Sequence, residues 1–288
     1  MKNILEYTPV KEYIRNISNM YRLGYDERNG GNVSMILNKE ELKEYLDFKV
    51  IREIPLNFDA KELEGEVFIV TGTGKYFKNV EYDPEKNLGI VRIKKGGSAA
   101  ELLWGFSDGG KFTSEFPAHL MSHIERRKVN PNNKVVMHCH PANIIAMTIT
   151  HNLDEKEFTK TIWRTNTECI VVFPEGLGVL PWELCGTSKI GQDTALKMRE
   201  FRVVIWAIHG VFAVGETLDE AFGLIETVEK TCEIYNLCNG KEILNTITDE
   251  QLYSLAKFWN LETLVKPGWL DVKWWKKTSI LKSFFISN

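Results

Sequence analysis

The stretch Val135-Val136-Met137-His138-Cys139-His140 carries β-branched and apolar residues in a short run, and residues 141–150 follow it with a helical pattern. A strand that feeds directly into a helix, with another helical pattern before it near 114–128, is the local signature of an α/β chain. Moving outward, strand-like runs recur at Val33–Leu37, Val67–Thr71, Gly89–Ile93, Leu102–Phe106, Cys169–Phe173 and Val203–Ile208. Helical patterns lie between them near 187–200, 217–237 and 248–258. Thr217 can cap the strongest, which has an apolar side of Ala221, Leu224, Ile225, Val228, Cys232 and Ile234. Near the start, Thr8-Pro9 reads as an N-cap followed by proline, with Val10, Tyr13, Ile14, Ile17 and Tyr21 at helical spacing and Gly24 as a stop. The expectation is an α/β fold with helices covering a sheet. Strand direction stays open, because the connections allow both hairpins and crossovers.

At about 150 residues per domain, 288 residues suggest two domains, but no Pro/Gly/Ser-rich linker, repeat or low-complexity segment divides the chain. One domain, 1–288, is expected, ending in a basic, aromatic tail over 262–288. Lys plus Arg is 36 and Asp plus Glu is 39, a formal charge of −3, with 43% hydrophobic and 26% charged residues. That composition is globular, and its slight acidity argues against a nucleic-acid partner held by phosphate contacts. No apolar run approaches the roughly 18 residues that span a bilayer, and the N-terminus lacks the apolar region of a secretory signal. Five scattered cysteines without a C-x-x-C pair read as reduced thiols. A cytoplasmic protein with neither nucleic-acid nor membrane partner is expected.

In a strand, residues i and i+2 face one side, so His138 and His140 project together about 6.6 Å apart along the backbone. That separation can grip one metal ion; the plainer reading is two hydrogen-bonded histidines at a strand end. His209 follows the apolar run Val203–Ile208 and precedes Gly210, which places it at a strand terminus as a possible third ligand. Three imidazoles leave an open coordination position, the arrangement of a catalytic zinc. In Thr113-Ser114-Glu115-Phe116-Pro117-Ala118-His119, Thr113 or Ser114 can cap a helix and leave Glu115 in its first turn, as a metal ligand or a proton carrier. His119 and His123, four apart, form another possible metal pair but lack the H-E-x-x-H glutamate, and read better as partly buried polar residues. Asn29-Gly30-Gly31-Asn32 and Thr71-Gly72-Thr73-Gly74-Lys75 are glycine-rich loops able to bring backbone N–H groups against an anion, although neither completes a nucleotide-binding motif. Asp26-Glu27-Arg28 and Glu125-Arg126-Arg127-Lys128 read as solvated charge. In the tail, Lys266, Lys273, Lys276, Lys277 and Lys282 alternate with Trp269, Trp274, Trp275, Phe284 and Phe285, aromatics that dock most simply on the protein's own body or a neighbouring subunit.

Taken in order, these segments resemble the class II (zinc-dependent) aldolase family over roughly residues 1–260. The matching stretches are Gly24–Asn32, Phe68–Lys75, Asn87–Val91, Thr113–His119, Val136–His140, Thr167–Cys169 with Val171–Pro174, and His209–Phe212. The resemblance implies a three-layer α/β/α fold with a central, mostly antiparallel sheet. It implies one Zn²⁺ per subunit held by His138, His140 and His209, and Glu115 as catalytic acid/base. Asn29, Gly31, Asn32, Thr73, Gly74, Thr113 and Ser114 would hold the substrate phosphate. Glu168 would act in the site of an adjacent subunit of a homotetramer, with a small sugar phosphate as partner. Thr73 replaces the serine of the T-G-S-G-K motif, keeping the hydroxyl and adding a methyl. The epimerases of the superfamily carry aspartate where Glu115 stands, and adducin-like domains have lost the zinc histidines.

Overall fold

The protein is described here by a computed structural model covering residues 1–272. Nine strands form one sheet: β1 (Asn32–Ile36), β2 (Arg52–Pro55), β3 (Val67–Thr71), β4 (Leu88–Ile93), β5 (Ala99–Gly105), β6 (Val135–Cys139), β7 (Gly178–Leu180), β8 (Val203–Trp206) and β9 (Gly210–Gly215). Their order is β2-β5-β4-β3-β1-β6-β9-β8-β7. Every neighbouring pair is antiparallel except β7–β8. Chain connection explains the exception: β8 and β9 are joined by a three-residue turn, whereas β7 reaches β8 through the helix Ser188–Lys197, the kind of crossover a parallel pair needs.

Alternation along the strands sorts the core onto two faces. Val33, Met35, Val67, Ile69, Val135, Met137, Val211 and Ala213 face one side, packed with Tyr13, Ile17, Met147, Ile162, Leu224, Val228 and Leu252. Those residues come from the helices Thr8–Arg22, Ala142–Thr150, Glu155–Thr165, Leu218–Cys238 and Asp249–Phe258. On the opposite face Phe68, Val70, Val91 and Leu102 meet Phe116, Leu120 and Ile124 of the helix Phe116–Val129. Farther along that face Val136, Val204, Trp206 and Phe212 meet Ile190 of the helix Ser188–Lys197. The result is the expected three-layer α/β/α arrangement with a mostly antiparallel sheet.

The expected helices near 114–128, 141–150, 187–200, 217–237 and 248–258 all form, and Thr217 caps its helix by accepting from the Glu220 N–H. Cys169–Phe173 does not form a strand; Glu168–Val172 is a short helix. Five apolar residues carry too little pattern to separate a period of 2 from one of 3.6, and here Cys169 and Ile170 turn into the core while the Cys169 Sγ lies 3.1 Å from Thr231 Oγ1 of the long helix. Thr8 is the first helical residue, with Tyr7 at the N-cap. Within the tail, Trp269 docks on the protein body, its ring 5.9 Å from that of Trp163 and 6.3 Å from that of Phe201. Lys273, Trp274, Trp275, Lys276, Lys277, Lys282, Phe284 and Phe285 lie outside the described residues.

Candidate active site

Strand register brings the histidines together. His138 lies opposite Phe212 in the β6–β9 pair and opposite Asn32 in the β1–β6 pair, and His140 follows just past the end of β6. His209 sits in the tight turn between β8 and β9, where Ile208 takes φ +59°, a costly conformation for a β-branched residue. Gly210 lets this turn close: a Cβ there would lie 2.3 Å from the Cys139 carbonyl oxygen and 2.9 Å from the His140 ring. One ring nitrogen from each of His138, His140 and His209 lies within 4.8 Å of the others, the one such group among the described residues.

The hydrogen bonds fix which nitrogens face inward. His138 Nδ1 is 3.0 Å from the Val211 carbonyl oxygen, an acceptor, so Nδ1 carries the proton and Nε2 presents a lone pair. His140 Nδ1 lies 3.1 Å from both carboxylate oxygens of Glu27 and is likewise the donor. The two Nε2 atoms stand 3.2 Å apart, lone pair against lone pair. Burial drives the His138 imidazole well below its ordinary pKa, and burial followed by the His140 charge lowers His209 to about 4. Three converging imidazoles, with the outer nitrogens of His138 and His140 engaged, are the donor set that suits a zinc-like cation, and the residues fit that ion.

Glu115 occupies the N-cap of Phe116–Val129, not its first turn, with Pro117 in the opening positions of the helix. Its Oε2 accepts from Asn32 Nδ2 at 2.7 Å and lies 3.6 Å from His138 Nε2. Burial pushes this carboxyl above its ordinary pKa, opposed by the Asn32 hydrogen bond and the His140 charge. A carboxyl whose proton affinity is raised in this way is better suited to take and return a proton than a solvated one.

Thr71 ties the three loop segments to one another. Its Oγ1 accepts from the Val33 N–H at 3.1 Å, its carbonyl accepts from the Thr113 N–H at 2.9 Å, and Gly72 bridges to Phe112. Thr73 is tied in as well, its N–H donating to the Lys111 carbonyl at 2.9 Å, so the three segments carrying Asn32, Thr73 and Thr113 are linked side by side. Asn32 is buried with its amide committed to Glu115, while Asn29, Gly74 and Ser114 are exposed. Lys75 is paired with Asp108. Glu168 stands apart: it is exposed at the start of its short helix, and no hydrogen bond or ion pair among the described residues links it to the histidines.

Two residues of the supposedly solvated run Asp26-Glu27-Arg28 belong to the site. Glu27 orients His140, and Asp26 is buried beneath Gly31 with both carboxylate oxygens lacking a hydrogen-bond partner. Their signal was position, just before a glycine loop. His119, His123 and Ser34, all buried, form a hydrogen-bonded group behind Asn32. Their signal was the spacing of Glu115, His119 and His123 on one helix face.

The fold and this constellation define the class: the chain belongs to the family described as Class II Aldolase and Adducin N-terminal domain, which matches residues 11–236. Individual relatives narrow the comparison. A rhamnulose-1-phosphate aldolase of Listeria monocytogenes serotype 4b (strain CLIP80459) is 51% identical over 272 residues, covering 94% of this chain and 99% of the relative. One of Enterococcus faecalis (strain ATCC 700802 / V583) is 48% identical over 273 residues, covering 94% and 97%. Among solved structures, a sugar-phosphate aldolase from Thermotoga maritima aligns with TM-score 0.69 at 28% identity, covering 81% of this chain and 96% of that one. Among the described residues no helix is long and apolar enough to cross a membrane.

Proposed function

We propose that the protein is an aldolase that reversibly cleaves L-rhamnulose 1-phosphate to dihydroxyacetone phosphate and L-lactaldehyde. The observation that carries the chemistry is the Glu115 carboxylate, held by Asn32 at 3.6 Å from His138 Nε2 beside three converging imidazoles. The choice of sugar phosphate rests on relatives about half identical over nearly the whole chain.

Cleavage breaks the bond between carbons 3 and 4, leaving its electron pair on carbon 3 while the carbon 4 hydroxyl loses its proton and becomes the aldehyde. His138, His140 and His209 would hold the zinc ion, which when bound would supply Lewis-acid stabilisation of the negative charge that develops next to the ketone. Glu115 delivers a proton to carbon 3 and removes it again in synthesis. Asn29, Gly31, Asn32, Thr73, Gly74, Thr113 and Ser114 hold the phosphate, so that the reacting carbons stay beside Glu115. Glu168 takes the hydroxyl proton on the aldehyde side. It does so in the site of an adjacent subunit of a homotetramer, a reading that its exposure at the start of its short helix supports. The enzyme acts in the cytoplasm as a single 1–288 domain.

The test is release of dihydroxyacetone phosphate from L-rhamnulose 1-phosphate before and after chelation. Release that vanishes with the metal and returns with zinc supports the reading. Bound zinc without release moves the substrate to another sugar phosphate or the reaction to epimerisation, and release that survives complete removal of metal overturns it. Glu115→Gln, which keeps shape and zinc content, is expected to lose about 10²–10⁴ in turnover.

A further inference from the structure

Behind Glu115 runs a chain of buried side chains whose hydrogen bonds all point one way. Asn32 Nδ2 donates to Glu115 Oε2 at 2.7 Å. A carboxylate only accepts, so the amide nitrogen must face it, and Asn32 Oδ1 must face away. His119 Nε2 lies 2.5 Å from that Oδ1 and therefore carries the proton. In a neutral imidazole the other nitrogen is then an acceptor. Ser34 Oγ, 2.9 Å from His119 Nδ1, must give it its only proton. Ser34 Oγ is in turn 2.9 Å from His123 Nε2, from which it accepts. Asn32, His119, Ser34 and His123 are all buried, His119 and Ser34 completely, so the rings are shut off from bulk solvent.

Sequence builds the chain from two periodicities. Asn32 and Ser34 are i and i+2 on β1 and share a face; Glu115, His119 and His123 are spaced by four along one helix. The helix lies on the sheet face that bears Asn32 and Ser34, so the two rows interleave. Burial keeps His119 neutral, at a pKa of about 3, and removes any competing charged form.

We propose that His119 is a positioning residue for Glu115: its tautomer, set by Ser34 and His123, locks the Asn32 amide so that it always donates to Glu115 Oε2 and leaves Oε1 as the oxygen that moves the substrate proton. The reverse tautomer would put a lone pair against Asn32 Oδ1, and the amide would relax by rotating its own oxygen toward the carboxylate. That rotation replaces an attractive contact with a repulsive one and turns the carboxylate away from carbon 3. Misplacement by about 1 Å costs up to about 10²-fold in rate.

This role rests on the aldolase reading, but its test separates the two. Long-range proton–nitrogen correlation spectra of the zinc-loaded wild-type protein should show His119 protonated at Nε2; protonation at Nδ1 overturns the proposal whatever the enzyme's substrate. Solvent exchange of the carbon-bound proton of dihydroxyacetone phosphate, followed in deuterated water without aldehyde, isolates the Glu115 step. His119→Leu and Ser34→Ala should slow exchange about 10–100-fold at saturating ligand, with bound zinc unchanged. His119→Gln, whose amide nitrogen reaches about as far as His Nε2, should restore most of the rate, which a purely space-filling role does not predict. Rates within twofold of wild type for His119→Leu, or a folded Gln variant as slow as Leu, overturn the proposal. If His119→Leu fails to fold, Ser34→Ala and the wild-type tautomer still decide.

Discussion

Gly31→Ala is a small change placed where the loop has no room. Gly31 has φ +72°, and a Cβ built there would sit 1.7 Å from Asp26 Oδ1, 2.8 Å from Asp26 Cγ and 3.0 Å from the His138 carbonyl oxygen. Ordinary non-bonded separations are about 3.5 Å or more, so the Asp26 carboxylate has to retreat by nearly 2 Å inside a buried pocket, or the loop has to lift off β6. The left-handed backbone costs a residue with a Cβ about 1–2 kcal/mol, and overpacking adds about 1–3 kcal/mol. The sum is about 2–5 kcal/mol, which at about 2 °C per kcal/mol for a chain of this size lowers Tm by about 4–10 °C. Thermal unfolding should be measured with zinc saturating, because loss of a bound ligand also lowers Tm. A double-mutant cycle with Asp26→Ala separates the parts: removing the carboxylate should return the overlap share and leave the backbone share. A Tm for Gly31→Ala within 1 °C of wild type, or strict additivity in the cycle, would refute the reasoning. Because Asn32 follows directly, lifting the loop should also cut the rate of the Glu115 step.

Asp26 gives a pH-dependent prediction. Burial, then the neighbouring Glu27 charge, raises its carboxyl well above the ordinary value. The unfolded chain therefore gives up this proton at lower pH than the native one, and stability is lost as pH rises from the unfolded pKa of about 3.9 through the folded one. Asp26→Asn abolishes that loss, so its Tm should gain on wild type progressively between pH 4 and 8; a constant gap would show that the carboxylate is not protonated by burial. Phe212→Ala removes a fully buried ring that stacks on His138 with centroids 4.5 Å apart and also lies 4.4 Å from Trp206. It should cost about 3–5 kcal/mol in chemical denaturation of metal-free protein. Zinc competition titrations should show weaker binding than for Phe212→Leu, and equal affinities would mean that the ring does not orient the ligand.

What the sequence revealed followed periodicity. The run Val67–Thr71 is a strand over those same residues, because five consecutive apolar or β-branched positions in a sheet buried on both faces need no alternation. The His138–His140 pairing was legible for the complementary reason: i and i+2 must share a side. Elements without period were lost. Gly178–Leu180 is three residues long, and Arg52–Pro55 is a polar edge strand. The helix Glu155–Thr165 was legible in principle, since Phe158, Ile162 and Trp163 repeat at helical spacing and Asp154 caps it through the Glu157 N–H. Glu27 was hidden because an exposed carboxylate next to charged neighbours reads as surface, and only the fold reveals the imidazole it meets.

The deeper limit lies in register. Asn32 stands opposite His138, and His138 opposite Phe212, so the groups that engage Glu115 and pack against the first metal-ligand candidate come from strands about 100 and 70 residues away in sequence. Sliding β1 by one residue against β6 would turn Asn32 and Ser34 to the opposite face and bring Val33 beside His138, breaking the hydrogen bonds to Glu115 and His119 together. Register is held by apolar residues that do no chemistry: Val33, Met35, Val135 and Met137 are buried on the helix-rich face and would be exposed to polar partners by the same slip. Glu115 and the imidazole cluster are therefore positioned by the core on the far side of the sheet, and the loops need supply only the anion-binding edge proposed for them. On this reasoning, substitutions that loosen the β1–β6 pairing should damage the Glu115 step before they release the metal, because His138 and His140 share one strand while Asn32 reaches Glu115 from another.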